Sequence, residues 1–115
     1  PGNEPAAYIV TLVNLGAKAK GFEYDVGAAM ENMILAAWGE GLGSCWLISV
    51  ERDKIAEILA IPEGYRVDCV LALGYPAEEP VVEDLGDSVK YWKDENRVLH
   101  VPKRNLKDIV HINKF

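Results

Sequence analysis

Two adjacent cations, Lys103 and Arg104, are the side chains whose types and spacing most directly suggest ligand chemistry. They follow Pro102, and together they could hold a phosphate group, the arginine through its planar fork of donors and the lysine as a compact point charge. The same pair also suits a solvated, charged tail, and the spacing alone favours that second interpretation. The pair therefore leaves an anion-binding role open.

Neither a nucleophile–base pair nor a metal-binding motif is evident in the sequence. His100 and His111 have no recognisable catalytic partner, so surface or subunit-contact roles are expected for both. Carboxylates crowd residues 78–87, which is typical of a solvated loop and offers no general acid–base pair. Without a nucleophile–base pair or an acid–base pair, we predict no catalytic side chain. Because Cys-x-x-Cys and His-Glu-x-x-His are both absent, we also predict no metal ligand.

Gly41 and Gly43 form a Gly-x-Gly pair that could suggest a dinucleotide-binding fingerprint. In that fingerprint the glycines follow a strand and open a helix, so that the helix N-terminus faces the phosphates. Here the two glycines follow a predicted helix and lead into an apolar, strand-like segment. They are therefore predicted to end the helix.

Length, charge and cysteine content place the chain among ordinary globular proteins. A chain of 115 residues has room for one core, so we expect a single domain over residues 1–115. The net charge of -6 argues against a nucleic-acid partner, because duplex affinity depends on clustered lysine and arginine. With no signal peptide and no bilayer-length apolar run, we expect a cytoplasmic protein without a membrane partner. Cys45 and Cys69 lie in apolar runs and are expected to be buried, unpaired thiols.

A strand and a long helix are predicted in the first half of the chain. Residues 7–14 are β-branched, aromatic and apolar on both faces, which predicts an interior strand. Residues 25–40 carry apolar side chains at helical spacing, with Asp25 as the expected N-cap. Glu31 and Asn32 are the only strongly polar residues in the middle of this helix. It is therefore expected to be buried on more than one side, either within one monomer or against another subunit.

The second half of the chain begins with a helix that is predicted to be amphipathic and exposed. Its apolar side carries Ile55, Ile58 and Leu59, and its charged side carries Arg52, Asp53, Lys54 and Glu57. The C-terminal tail of the chain contains apolar residues, and these need a docking surface on their own domain or on a partner. The predicted elements give an α+β or α/β domain whose strand order stays open. They are a helix over residues 51–60, a strand over 66–73, an irregular acidic segment over 77–87, a hairpin within 89–101 that turns around 94–96, and the tail over 103–115.

Six motifs, taken in order, resemble the nitroreductase family of FMN-dependent oxidoreductases. The resemblance covers nearly the whole chain, and the ordered set is more specific than any single motif. The motifs are Asp25-x-Gly27-Ala28, Met30 through Leu35-Ala36-Ala37, Gly41-Leu42-Gly43-Ser44-Cys45-Trp46, Ile61-Pro62-Glu63-Gly64, Leu71-Ala72-Leu73-Gly74-Tyr75-Pro76 and Pro102-Lys103-Arg104-Asn105-Leu106-Lys107-Asp108-Ile109-Val110.

The resemblance implies an α+β fold in which a mixed sheet is flanked by helices and two subunits interlock as a homodimer around the long helix. The tail would then reach across to the other subunit. Members of the family normally begin with an arginine-rich segment that binds the FMN phosphate, and nothing in residues 1–14 matches it. The resemblance therefore implies the C-terminal portion of the family fold, with its N-terminal part absent.

The resemblance also implies an enzyme that transfers hydride from NADH or NADPH through FMN to a nitroaromatic, a quinone or a similar small-molecule acceptor. No catalytic side chain is required, because the cofactor supplies the reactivity. Alternatives are a non-catalytic flavin-binding or structural relative, a fragment that needs the missing N-terminal part, and a small-ligand module that reuses the fold without flavin. The implied cofactor-binding residues are Trp46, Leu47, Ile48 and Ser49, whose main chain would line the flavin ring, and Lys103 and Arg104, which would bind the phosphate.

Overall fold

The computed structural model describes residues 4–17 and 20–114. The chain divides into two compact units, residues 1–76 and residues 77–115, and each contains one three-stranded sheet. Two helices accompany the sheet of the first unit, so the expected α+β class is confirmed. The expectation of a single domain over residues 1–115 stays a prediction. Residues 1–3 and 115, which fall in segments discussed above, lie outside the described residues.

The sheet of the first unit is built around its longest strand, β3 (Tyr65–Gly74). Both β1 (Ala7–Asn14) and β2 (Gly43–Leu47) pair with β3 in antiparallel fashion, which gives the order β1-β3-β2. Successive strand residues point to opposite faces, and four successive residues of β3, residues 69–72, are all buried. The central strand is therefore covered on both faces.

The predicted bounds of β1 are confirmed, but its predicted interior position is wrong. In the described sheet β1 is an edge strand, and the side chains of Tyr8 and Ile9 are exposed. Apolar residues on both faces allow a strand to be buried on both faces of its sheet. They do not determine whether it occupies the centre or the edge of that sheet. The interior position belongs to β3 instead. A short 3-10 turn, Leu15–Ala17, follows β1.

The long helix, α1 (Phe22–Gly39), begins three residues before its predicted start. Gly21 is the N-cap and has a left-handed backbone with φ 81°, which glycine adopts without a steric penalty. The prediction that Asp25 caps the helix is therefore wrong. Asp25 lies in the first turn with Glu23, where the positive end of the helix dipole favours a carboxylate.

One face of α1 packs on the sheet of the first unit. Met30 is fully buried in a cluster with Cys69 and Leu71 of β3. On other sides of the helix, Tyr24 is 84% exposed and Trp38 is 78% exposed. The expectation of burial on more than one side is therefore wrong for the single chain, because one sheet face can cover only one side of a helix.

Both helices end in the same hydrogen-bonding pattern, the Schellman motif. At the end of α1, the N–H of Leu42 donates to the carbonyl of Ala37 at 2.9 Å, and Gly41 has a φ of 75°. The predicted glycine stop is confirmed. The second helix, α2 (Arg52–Ile58), ends when the N–H of Ile61 donates to the carbonyl of Ala56 at 2.9 Å.

The second unit contains a mixed sheet with the order β4-β6-β5. Its strands are β4 (Val81–Asp84), β5 (Trp92–Lys93) and β6 (Leu99–Lys103), with β4 parallel and β5 antiparallel to β6. The predicted hairpin is present, although β5 is shorter than expected. Residues 77–87 were predicted to be irregular, and this is wrong for residues 81–84, which form β4 and pair with β6.

The tail after β6 forms one 3-10 turn, Leu106–Asp108, and its apolar side chains stay exposed. This applies to Leu106, Ile109, Val110 and Ile112 alike. The docking surface expected for the tail is therefore not provided by the described residues. A partner is the alternative that the sequence left open.

Ala60 offers a test of the second Schellman motif, because it has a left-handed backbone with φ 49° after the end of α2. An L-residue pays a steric cost there that glycine avoids, so Ala60→Gly is expected to raise the free energy of unfolding by about 0.5–1 kcal/mol. The measurement is chemical denaturation of the full-length protein. Ala56→Gly, inside the same helix, is the matched control and should lower the free energy of unfolding by about 1 kcal/mol. A lower stability of Ala60→Gly would contradict the assignment.

Candidate functional site

The flavin-ring half of the predicted site lies where β2 leaves the sheet. Strand β2 pairs with β3 up to Leu47, which is opposite Val70, and the chain then diverges. Ile48 is 59% exposed, and Ser49 is also exposed. The N–H of Val50 donates to the carbonyl of Ile48 at 3.1 Å, which closes a three-residue turn around Ser49. The main chain of this turn is therefore accessible to a ligand rather than sealed in the core.

Trp46 and Leu47 belong to β2 itself, and their burial differs. Trp46 is 37% exposed and counts as an exposed residue, whereas Leu47 is half-buried. Because β2 is an edge strand of the described sheet, one side of its main chain has no neighbouring strand. Three of the four predicted ring-lining residues, Trp46, Ile48 and Ser49, are therefore exposed, and Leu47 between them is half-buried. Their role in binding stays a prediction.

Arg52, which the sequence assigns to the charged side of α2, is half-buried, and its guanidinium group binds neighbouring main chain. Its Nε donates to the main-chain oxygen of Asp68 at 2.9 Å, and its Nη2 donates to the main-chain oxygen of Ile48 at 3.0 Å. The guanidinium group thus connects β3 to the turn after β2. The helical period assigned Arg52 to the polar face, but a long side chain can reach back over neighbouring main chain.

The phosphate half of the predicted site lies at the end of β6, in the second unit. Lys103 is the last residue of the strand, where its main-chain oxygen accepts the N–H of Leu85 at 2.8 Å. Arg104 follows directly, and both side chains are exposed. Neither forms an ion pair within residues 4–17 and 20–114. Two unpaired cations in a chain of net charge -6 are suited to an anionic group.

His100 is not an isolated surface residue, and the expectation that it has no partner is wrong. Its Nδ1 lies 2.6 Å from Oε1 of Glu83, and its ring stacks on Trp92 with the centroids 4.2 Å apart. The indole N–H of Trp92 donates to Oε2 of Glu83 at 3.2 Å. Glu83 was expected in a solvated loop, but it joins β4 to both other strands of its sheet.

The contacts of His100 indicate a structural role for this side chain rather than a role as a catalytic base. Its Nε2 lies 3.6 Å from Oδ2 of Asp94 and has no hydrogen-bond partner among the described residues. A histidine base needs a nucleophile hydrogen-bonded to the ring nitrogen that takes the proton. His100 lacks that arrangement in the part of the chain that the structure describes.

The two free cysteines differ in burial. Cys69 is buried as expected, but Cys45 is exposed, so the expectation of two buried thiols is wrong for Cys45. Cys45 lies on the edge strand β2, where apolar neighbours in sequence do not provide cover. In the described ranges, no group of three or more His, Cys, Asp or Glu side chains is placed to hold a metal ion. Neither described helix has the length and apolarity to cross a membrane.

Comparison with known proteins assigns the chain to a family. The sequence model of the nitroreductase family matches residues 6–75, which include β1, both helices, β2 and β3. This chain belongs to the nitroreductase family. A protein of Archaeoglobus fulgidus, whose name refers to NADH dehydrogenase and NAD(P)H nitroreductase, is 37% identical over 84 residues, which are 65% of this chain and 48% of that protein. The chain spans about half the length of the curated relatives it matches.

Two solved structures agree with this assignment. The crystal structure of a nitroreductase family protein from Clostridium novyi NT is 32% identical, with a TM-score of 0.56 over 63% of this chain and 44% of that chain. An FMN-dependent nitroreductase from Clostridium difficile R20291 is 25% identical, with a TM-score of 0.63 over 96% of this chain and 59% of that chain. The second match includes the part of the chain that lies beyond residue 75.

The carboxylate of Asp94 gives a pH-dependent prediction. The N–H of Val98 donates to Oδ1 of Asp94 at 2.8 Å, and this hydrogen bond is the main reason that the pKa of Asp94 is lowered. A lowered pKa means that the ionised carboxylate stabilises the fold above its unfolded-state pKa of about 3.9, and that this contribution is lost as the pH falls through the folded-state pKa. The stability difference between wild type and Asp94→Asn should therefore be largest above about pH 5 and shrink below about pH 4. Urea denaturation across this range measures it, and a difference that is constant to low pH would contradict the assignment.

Proposed function

We propose that this protein is an FMN-dependent oxidoreductase that transfers hydride from NADH or NADPH to a nitroaromatic, a quinone or a similar small acceptor. The observation that carries the proposal is the position of residues 46–49 at the end of the edge strand β2, within the segment that the family model matches. Of these residues Trp46, Ile48 and Ser49 are exposed. The names of the Archaeoglobus relative and of the Clostridium difficile structure support the same reductant and cofactor.

The residues after β2 suit the ring of a flavin. Main-chain N–H groups that are held in place by a sheet and a tight turn are fixed donors, and fixed donors stabilise negative charge without having to reorganise. The unpaired edge of β2 and the turn that follows it offer such groups within residues 46–49. The partly exposed indole of Trp46 offers apolar surface to a planar ring. This arrangement would need no acidic or basic side chain.

Lys103 and Arg104, in the second unit, suit the phosphate of an FMN molecule. They are exposed, adjacent and free of ion pairs within the described residues, so no carboxylate has to be displaced before a phosphate binds. Their main chain is anchored because Lys103 ends a paired strand. The flavin, when bound, would supply the hydride chemistry, and this chain would supply binding, orientation and charge stabilisation.

A comparison of two flavins tests the cofactor assignment. Riboflavin has the same ring as FMN but lacks the phosphate, so Lys103→Gln and Arg104→Gln should each weaken FMN binding by about tenfold and leave riboflavin binding unchanged. Fluorescence titration of the full-length protein measures both dissociation constants. Lys107→Gln, which removes an exposed cation of the same tail, is the matched control. A full-length protein without flavin absorption bands after incubation with FMN would refute the proposal.

Turnover separates the enzyme from a non-catalytic relative. The full-length protein loaded with FMN is expected to oxidise NADH or NADPH when a quinone or a nitroaromatic compound is present. Bound flavin without such oxidation would support the flavin-binding or structural alternative. The binding assay therefore tests whether the protein has a flavin site, and the turnover assay tests whether the bound flavin is catalytically active.

We also propose that the protein is a homodimer that covers the exposed side of α1. Tyr24, Leu35 and Trp38 lie on one stripe with Ala28 and Glu31, at alternating spacings of four and three residues. This is the spacing at which one helix face repeats, so the stripe can pack along a second helix. Only Glu31 carries a charge within it. The exposed apolar tail after β6 supplies further surface for a second copy.

Introducing a charge into this stripe tests the homodimer. Trp38→Glu places a carboxylate where an apolar side chain would be buried between subunits, and an unpaired buried charge is strongly unfavourable. The full-length variant is expected to sediment as a monomer, and the wild type as a dimer. Ile58→Glu, which makes the same kind of change at an exposed apolar position of α2, should leave the dimer intact. A monomeric wild type would contradict the proposal.

A further inference from the structure

The place where β2 separates from β3 is held by a side chain instead of by further strand pairing. The pairing places Trp46 opposite Leu71 and Leu47 opposite Val70, so its continuation would bring Ser49 opposite Asp68. The chain turns away before it reaches that position. The carbonyl of Asp68 accepts a hydrogen bond from Nε of Arg52 at 2.9 Å instead. A guanidinium group therefore takes the place of main chain at the end of the ladder.

The same guanidinium group also binds the strand that leaves. Nη2 of Arg52 donates to the carbonyl of Ile48 at 3.0 Å, while Nε is bound to β3. The guanidinium group is planar and always charged, so two of its donors fix the relative positions of both carbonyl groups more firmly than neutral donors would. Arg52 itself is half-buried and sits at the start of α2, which restrains its own position.

The carbonyl that Arg52 binds belongs to the peptide group between Ile48 and Ser49. A trans peptide is planar, and its C=O and N–H point in opposite directions. The guanidinium group and the N–H of Val50 both bind the Ile48 oxygen, at 3.0 and 3.1 Å, and so direct the Ser49 N–H to the other side. The hydrogen bond to the charged donor also polarises the peptide, which makes that N–H a stronger donor.

We propose that Arg52 is a positioning residue that aims and polarises the main-chain N–H of Ser49 towards the flavin ring. The inference rests on the proposed function, because it assigns a role to a contact of that same site. Arg52 touches neither cofactor nor substrate in this role and acts through the Ile48–Ser49 peptide. A purely structural role, joining α2 to β3, is the alternative that the experiment must separate.

The experiment compares Arg52→Gln, Arg52→Lys and Lys54→Gln in the full-length protein. Glutamine keeps a helix-forming side chain but removes the charge, and lysine keeps the charge but cannot bind both carbonyls as a planar fork. Lys54 lies on the same helix and forms an exposed ion pair with Glu51, so Lys54→Gln is the matched control. Three quantities are measured: hydrogen exchange of the Val50 amide without FMN, the dissociation constant for FMN, and the midpoint potential of the bound flavin.

Arg52→Gln is expected to speed exchange of the Val50 N–H, which donates to the Ile48 carbonyl, by about tenfold, because that carbonyl is no longer held by a charged donor. FMN binding should weaken by a similar factor. The midpoint potential should become more negative, because a weaker, less directed donor stabilises the reduced flavin less. Arg52→Lys should lie between wild type and Arg52→Gln, and Lys54→Gln should match the wild type in all three measurements.

Two results would overturn the inference while leaving the proposed function intact. The first is a wild type that binds FMN alongside an Arg52→Gln variant with unchanged exchange, affinity and potential. The second is an Arg52→Gln variant whose thermal stability falls while its potential and FMN affinity stay the same, which would identify a structural role only. A wild type that binds no FMN would overturn both the proposed function and the assignment of Arg52 to the flavin.

Discussion

Antiparallel pairing along β3 is the constraint on which the rest of the first unit depends. One strand supplies hydrogen-bonding partners to β1 on one side and β2 on the other, and its four buried residues from Cys69 to Ala72 form much of the core. The pairing of β2 fixes where the chain must separate from the sheet. Main-chain groups beyond that point need other partners, because unpaired polar groups are costly wherever water is excluded. The turn around Ser49 and the guanidinium group of Arg52 meet this need.

Burial of α1 is one-sided in the single chain. The face of α1 that contains Met30 is packed on β3, while the stripe that contains Tyr24 and Trp38 is exposed, and so is the apolar tail of the second unit. Exposed aromatic side chains at regular helical spacing are unusual on a surface that stays in water. The homodimer proposed above gives both surfaces a role. The reductive site proposed for residues 46–49 lies in the same unit as the exposed helix.

The second unit obtains its order from polar contacts more than from an apolar core. Glu83 binds both Trp92 and His100, and the stacking of these two rings adds contact between the neighbouring strands β5 and β6. The turn between β5 and β6 is closed by Asp94, which accepts the N–H of Val98. Lys103 and Arg104 follow at the end of β6. Pairing within this small sheet thus anchors the main chain next to the two cations while their side chains stay exposed.

The sequence by itself determined the features that depend on neighbouring residues. The bounds of β1, the glycine stop after α1 and the hairpin in the second unit follow from periodicity and from turn chemistry, which act over a few residues. The ordered motifs likewise established the family, because they depend on the sequence alone. Within α1, local signals were less reliable at the start, where Gly21 and not Asp25 is the cap.

Only the tertiary structure decided which residues meet across the chain. Arg52 binds the carbonyl of a residue 16 positions away, and His100 pairs with Glu83 at a separation of 17 positions. The exposure of Cys45 and the edge position of β1 depend in the same way on which strand is central. Sequence periodicity gives the face on which a side chain lies, but the register and order of strands decide what that face contacts, and both are set by packing over the whole unit.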